Sequence, residues 1–284
     1  MADTSPAHRR RTRPLDEETI SMRLGFVGAG RMGRPMVDRL VQAGHEVRVL
    51  GRSPESRSAL ADSGAAAQAD LAAVADGADV VLVCVFTDDQ VRQVCVDDGL
   101  LAAMRPGTTL VVHTTCNPRT VEGLAEHAAP HGVSVVDAAI SGGPHDIAAG
   151  RLTILVGGDD AAFEAARPAL SAYGDPVLHV GPLGHGQRVK LVNNAVFTAN
   201  IGLLAAAVDL GKQLGIDEST LLSALPHGSA ASRALQGVAG RGSVAAFFDS
   251  VGEFVRKDIA VVRSVTADLG TDLGVLDAVI PAGS

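Results

Sequence analysis

The stretch Arg23-Leu24-Gly25-Phe26-Val27-Gly28-Ala29-Gly30-Arg31-Met32-Gly33 decides how the rest of the chain is read. Its first five residues make a short apolar run, Gly28-Ala29-Gly30 breaks it, and Met32, Met36, Val37 and Leu40 then recur at helical spacing. The order is strand, tight turn, helix. In that context the three glycines have separate tasks: Gly28 allows the turn, Gly30 lets a ligand approach the backbone, and Gly33 lets the helix pack on the strand. The residues Gly28, Ala29, Gly30, Arg31, Met32 and Gly33 are therefore expected to cradle the phosphates of a dinucleotide against the unpaired N–H groups of a helix start.

Outward from this unit, strands are predicted at 46–50, 79–85, 109–113, 133–137 and 152–156, with helices at about 56–62, 88–101 and 118–129. A further helix starts at Asp159 or Asp160 and ends near Tyr173-Gly174, positions that suit N-cap and C-cap chemistry. Such alternation implies a parallel sheet covered on both faces. From Gly186 onward strand signals vanish, and long Ala/Leu/Val helices follow, punctuated by Gly215, Pro226 and Gly270. The fold class is α/β: an N-terminal Rossmann doubly wound parallel sheet at 22–184, then an all-α C-terminal domain at 185–284. Residues 1–21, with Arg9, Arg10, Arg11 and Arg13, read as a disordered tail.

Composition narrows the class of function. At 46% hydrophobic and 20% charged, the 284 residues can bury a large core. A net charge of −8 argues against general affinity for nucleic acid, which needs a basic face. The tail lacks the apolar run of a signal peptide or membrane anchor. The long apolar stretch from Leu191 to Val208 contains Asn193, Asn194 and Asn200, which would be costly in lipid, so a helix buried in protein is expected and no membrane span. Cys84, Cys95 and Cys116 are odd in number and lack metal-ligand spacing, which suits reduced thiols in a cytoplasmic protein without a metal site.

At the end of the second strand an NAD site would place an acidic residue against the ribose 2′-hydroxyl. Here stand Arg52 and Ser53. A guanidinium cannot accept from a hydroxyl, but it matches a 2′-phosphate in charge and geometry, so NADP is favoured over NAD.

Four motifs, in order, resemble the β-hydroxyacid dehydrogenase family, which includes 3-hydroxyisobutyrate dehydrogenases and glyoxylate/succinic semialdehyde reductases. They are Gly-Phe-Val-Gly-Ala-Gly-Arg-Met-Gly-Arg-Pro-Met at 25–36, Asp-Ala-Ala-Ile-Ser-Gly-Gly at 137–143, Gly-His-Gly-Gln-Arg-Val-Lys-Leu-Val-Asn-Asn at 184–194, and Lys-Asp-Ile at 257–259. The resemblance covers residues 23 to about 270. It implies hydride transfer between a nicotinamide and a small 3-hydroxy acid or semialdehyde, or a 2-oxo acid. It also implies that Ser141, Gly142 and Gly143 anchor the substrate carboxylate, that Lys190 is the general acid/base, that Lys257 reaches toward the cofactor, and that Thr115 lies close to the nicotinamide.

Elementary chemistry agrees with two of these roles. Successive N–H groups in a glycine turn can form an anion-binding concavity, although Ser-Gly-Gly alone is ordinary turn chemistry. A lysine in a closed apolar site loses hydration of its charged form and becomes titratable near neutrality. Asn194 lies one helical turn beyond Lys190 and can hold the substrate hydroxyl. The chain has only three lysines, Lys190, Lys212 and Lys257, against 21 arginines, so a lysine at 190 points to use of a titratable amine.

The sequence departs from the family at His113, where an acidic residue is common, and at Ala139, where proline is usual. His145 and Asp146 follow the carboxylate loop, where they either select a polar substrate or lie on the surface, and Ser229, Ser232 and Arg233 are candidates for reading the substrate's side chain. Two other readings stay open: an imine reductase, which shares this architecture by resemblance but typically lacks the lysine, and a non-catalytic NADP sensor. The apolar helical region predicts self-association as a homodimer or homotetramer.

Overall fold

The computed structural model describes residues 21–281, so the tail expectation, apart from Ser21, lies outside the described residues. Eight strands form one sheet in the order β3-β2-β1-β4-β5-β6-β7-β8. They are β1 (Arg23–Val27), β2 (Glu46–Leu50), β3 (Ala66–Gln68), β4 (Val80–Val83), β5 (Thr109–Val112), β6 (Ser134–Ser141), β7 (Leu152–Gly157) and β8 (Gly174–Gly181). The helices between them are α1 (Gly33–Gln42), α2 (Pro54–Ala61), α3 (Leu71–Ala75), α4 (Asp88–Arg92), α5 (Leu100–Ala103), α6 (Pro118–Ala128), α7 (Pro144–Ala148) and α8 (Asp160–Ser171). Beyond the sheet lie α9 (His185–Gln213), α10 (Glu218–Ala224), α11 (Arg233–Arg241), α12 (Val244–Asp268) and α13 (Val275–Val279).

Alternation of side chains along the strands builds two cores on the two faces of the sheet. Leu24, Phe26 and Leu82 join one cluster, with Met36, Val37 and Leu40 of α1; Val27, Val81 and Val83 join the other, with Val121 and Leu124 of α6. All four residues of β4 and of β5 are buried, as expected of central strands covered on both faces. A third core, around Leu191, Ala195, Leu235, Val255 and Ile259, joins α9, α11 and α12.

The structure corrects the sequence reading at four places. The sheet is parallel except where β6 meets β7, which run antiparallel. Only the ten residues 142–151, including the single turn α7, connect them, too few for the crossover that a parallel pair requires. Strands β3 and β8 have no counterpart among the expected strands. They are the two edges, β3 is very short, and β8 carries Pro176 with most of its side chains partly or fully exposed, so neither shows an apolar run. The expected helix at 88–101 is broken by a π-turn over 93–97 and by Gly99 in the left-handed region, φ 81°. Helix α2 begins at Pro54, two residues early, because Ser53 caps it.

Candidate active site

Reversal of strand order between β1 and β4 creates the crevice in which doubly wound sheets bind ligands, at the carboxyl ends of the strands. The glycine loop leaves β1 at that crevice. Gly28 has φ 100° and packs on the Cys84 carbonyl, where any Cβ would collide. A Cβ on Gly33 would strike the Gly28 carbonyl and stand 2.9 Å from Phe26 Cε1, so this glycine lets α1 close on β1. Gly30 differs: a Cβ there would meet no atom within 4 Å. Its bare backbone faces open space beside a helix start that no side chain caps and whose first turn holds no acidic residue. That cradle fits a dinucleotide pyrophosphate, which needs close backbone approach and unclaimed N–H donors.

Arg52, at the end of β2, is exposed and makes no hydrogen bond or ion pair with any described residue. Ser53 is otherwise engaged. Its hydroxyl oxygen accepts from the Ser56 N–H at 3.2 Å, and its proton goes to Glu55, whose carboxyl is held below the usual range first by a backbone N–H and then by this bond. Of the two expected contacts to the ribose end, Arg52 alone presents unspent donors; Ser53 is a helix cap.

Thr115 is buried in the loop after β5, and the peptide groups on both sides of it are held by one side chain. Gln187 donates from Nε2 to the Thr114 carbonyl at 2.8 Å and accepts at Oε1 from the Cys116 N–H at 3.0 Å. The Thr114 hydroxyl in turn donates to the Val85 carbonyl at 2.9 Å, joining the ends of β4 and β5. Asp137 completes the joint: its two oxygens accept the N–H groups of Gly184 and Gln187, each at 2.6 Å. Burial pushes this carboxyl up to about 6, with the two N–H groups acting in the opposite sense. Asp137 and Gln187 thus fasten the start of α9 onto the sheet, and sequence reasoning gives neither residue a role.

Lys190 follows Gln187 by one turn and is only 8% exposed. Burial pulls its ammonium down to about 8, Lys257 adds to that shift and Asp258 opposes it. Asn194, a turn further on, donates from Nδ2 to Asp258 Oδ2 at 2.6 Å and accepts at Oδ1 from Asn193 at 3.1 Å. Asp258 Oδ1 stands 3.1 Å from Lys257 Nζ. One amide proton of Asn194 remains for a ligand, and Asp258, which lies within the fourth motif without an expected role, fixes where it points.

Lys257 also lies 5.4 Å from the centroid of the Phe86 ring. Phe86 packs edge-to-face on Phe254 at 5.7 Å, and the Arg31 guanidinium covers Phe254 at 5.2 Å. Two cations, Arg31 of the glycine loop and Lys257 of α12, thus flank a pair of packed rings. Only Arg31 and Lys257 of this set stand out in the sequence, because nothing local to Phe86 or Phe254 reveals that they meet. Lys257 further lines an open cleft of about 940 Å³ between α4, α6 and α12, with Asp88, Arg92 and Asn117.

The Ser141-Gly142-Gly143 loop is altered from expectation. The Gly143 N–H donates to Asp146 Oδ2 at 2.8 Å and so is already spent. The Ser141 hydroxyl and the Gly142 N–H make no hydrogen bond within the described residues, which leaves two donors for a carboxylate rather than three. Gly142 has φ 136°, a conformation that turns the chain out of β6. Asp146 is buried and structural while His145 is exposed. Ser232, a candidate for reading the substrate, caps α11 through the Leu235 N–H. His113 is buried, takes Nδ1–H to the Ala138 carbonyl at 2.7 Å and accepts at Nε2 from the Tyr173 hydroxyl at 2.8 Å. Burial drives it down to about 4, so it is a neutral strut between β5, β6 and the end of α8.

Two family models match consecutive stretches of the chain: NAD binding domain of 6-phosphogluconate dehydrogenase over residues 23–181, and NAD-binding of NADP-dependent 3-hydroxyisobutyrate dehydrogenase over 184–280. The chain belongs to the β-hydroxyacid dehydrogenase family. A 3-hydroxyisobutyrate dehydrogenase of Pseudomonas aeruginosa is 34% identical over 213 residues, 75% of this chain and 72% of that protein. The solved Mycobacterium tuberculosis 3-hydroxyisobutyrate dehydrogenase with L-serine superposes at a TM-score of 0.81, with 27% identity and 92% of each chain covered. A Streptomyces aurantiacus imine reductase shares the architecture at a TM-score of 0.65 over 92% of each chain, but at 20% identity that likeness carries the fold alone. This β-hydroxyacid dehydrogenase is thus an oxidoreductase with a nicotinamide dinucleotide as its cofactor.

Proposed function

We propose that this dehydrogenase uses NADP to interconvert a small 3-hydroxy acid and its semialdehyde, or a 2-hydroxy and a 2-oxo acid, with Lys190 exchanging the proton on oxygen. The observation that carries this reading is a buried lysine, titrating at about 8, one turn from an amide whose orientation is fixed by Asp258. The bound nicotinamide would take or give the hydride. Ser141 and Gly142 hold the carboxylate, Asn194 orients the reacting oxygen, and the neutral Lys190 amine accepts the hydroxyl proton in oxidation. In reduction the ammonium donates it back. The test is a panel of small semialdehydes, 2-oxo acids and cyclic imines with NADPH and NADH in parallel. Turnover confined to imines, or to none of them, would sink the proposal.

The role proposed for Lys190 sets the sign of the pH dependence, and its lowered value of about 8 sets the midpoint. Oxidation needs the free amine, so kcat for the alcohol should rise with pH and level off above about 8. Reduction needs the ammonium, so kcat for the aldehyde should be flat below about 8 and fall above it. Two profiles of the same sign would exclude Lys190 as the shared group.

Arg52 supports NADP over NAD. Removing a charge-assisted hydrogen bond costs about 1.5–3 kcal/mol, so Arg52→Ala should raise the KM for NADPH roughly 10- to 100-fold. The KM for NADH should stay within about threefold, since no 2′-phosphate is lost from that contact. Equal losses with both cofactors would remove Arg52 from the site.

We also propose that α9 forms a contact between two copies of the chain. Val189, Val196, Leu203 and Leu210 recur at heptad spacing on its exposed face, joined by Val192 and Leu214. A single seam that repeats along its own helix is complementary to itself about a two-fold axis. Light scattering should give a multiple of 29.0 kDa, and the double substitution Val196→Lys with Leu203→Lys should give the monomer. A monomeric parent protein would overturn this.

A further inference from the structure

The carboxylate loop is tied to the helical domain by an ion pair whose two halves differ. Asp146, at the start of α7, is 8% exposed at its side chain; Oδ2 accepts the Gly143 N–H and lies 3.2 Å from the exposed His145 imidazole. Oδ1 stands 3.2 Å from Arg233 Nη2, and the Arg233 side chain is 68% exposed. A buried carboxylate therefore holds one corner of a guanidinium. The second Nη2 proton and the N–H groups at Nη1 and Nε make no bond with the described residues, so one two-pronged edge of the guanidinium, formed by Nη2 with Nη1 or with Nε, is left.

Helix stability does not explain an arginine there. Arg233 is the first residue of α11, where the helix dipole disfavours a cation, and Ser232 already caps the end. Nor does the ion pair account for it, because a pair with one half in water contributes little. What the arrangement does supply is a planar donor fork, held at one corner, one carboxylate's width from the loop that holds Ser141 and Gly142. Such a fork suits a second carboxylate on the same ligand.

We infer that Arg233 is a specificity-determining residue that receives a second acidic group, so that the preferred substrates are hydroxy acids carrying two carboxylates. This rests on the proposed reading that Ser141 and Gly142 take the first carboxylate and Lys190 the hydroxyl. Asp146 orients the guanidinium and offsets its charge when no ligand is present, while His145 lies beside Asp146 and adds positive charge when protonated.

The experiment compares 2-(hydroxymethyl)succinate with 3-hydroxyisobutyrate as substrates in the parent enzyme and in Arg233→Ala, Arg233→Lys and Arg233→Gln. The parent should favour the diacid, and the diacid-to-monoacid ratio of kcat/KM should fall roughly 10- to 100-fold in Arg233→Ala. Lysine should restore part of the ratio. Glutamine keeps an N–H for Asp146 without the charge, so it should lose the ratio while melting with the parent. A parallel titration of the protein with glutarate and butyrate, which cannot react, should show the same loss of preference for the diacid. An unchanged ratio in Arg233→Gln, or a parent that binds and turns over the monoacid better, overturns the inference and leaves the proposed function standing. If neither acid is turned over, the panel of semialdehydes and oxo acids decides on the proposed function, and the glutarate titration decides on Arg233 by itself: equal binding of glutarate in the parent and in Arg233→Gln overturns the inference.

Discussion

Lys190→Ala is expected to lower kcat about 10²- to 10⁴-fold, the usual worth of a positioned acid/base, while NADPH binds within about threefold of the parent affinity. The site makes this sharper than for a typical lysine. Among the described residues, no other amine near Asn194 can replace it: Lys257 is held 3.1 Å from Asp258 and stacks over Phe86. Asp258 is fixed by Asn194, and His113 is locked neutral between Ala138 and Tyr173. Lys190→Arg should be nearly as poor, since a guanidinium keeps its proton at any working pH. Isotope-labelled substrate and fluorescence titration of NADPH separate chemistry from binding. A variant that keeps turnover would show that the proton travels by another route than Lys190. Loss of NADPH binding together with activity would show Lys190 to be a structural residue.

The second large effect is a separation of stability from binding within one loop. Gly30→Val adds a side chain where no protein atom lies within 4 Å, at a residue without positive φ. The fold should tolerate it like a surface change, within about 0.5 kcal/mol, which is roughly 1–2 °C in melting temperature. NADPH affinity should nevertheless fall roughly a hundredfold or more, about 2.7 kcal/mol, because the branched side chain occupies the space into which a pyrophosphate must come. Gly33→Ala should do the reverse in kind: its Cβ collides with the Gly28 carbonyl and Phe26, so the melting temperature itself should drop. Calorimetry of the two variants with and without NADPH checks both outcomes. A Gly30→Val protein that binds NADPH like the parent would remove the loop from the cofactor site.

Much of the site is legible in the sequence because its signals are local. A turn that needs three glycines, a strand that needs an apolar run and a helix that needs a periodic face each announce themselves within a dozen residues. The crevice, the loop after β1, Arg52 at the end of β2 and a lysine one turn from an asparagine are all of this kind. The partners that use up or aim those groups are not legible in the same way. Ser53 reads in the sequence as a contact to the ribose end and is a helix cap in the fold. Gly143 has a free-looking N–H, which Asp146 takes.

By itself, then, the chain's sequence determined the class of fold, the family and the placing of a glycine turn between β1 and α1, since each rests on residues close together along the chain. The tertiary structure alone decided the rest. The edges β3 and β8 and the reversal of β7 depend on how much room a connection leaves, not on a pattern within it. The clamp of Gln187 on the loop around Thr115, the capping of α9 by Asp137, the hold of Asp258 on Asn194 and the tether between Asp146 and Arg233 join residues about 50 to 90 positions apart. Such contacts exist only once the sheet and the helical layer have packed, and they set how Asn194 and Arg233 are aimed.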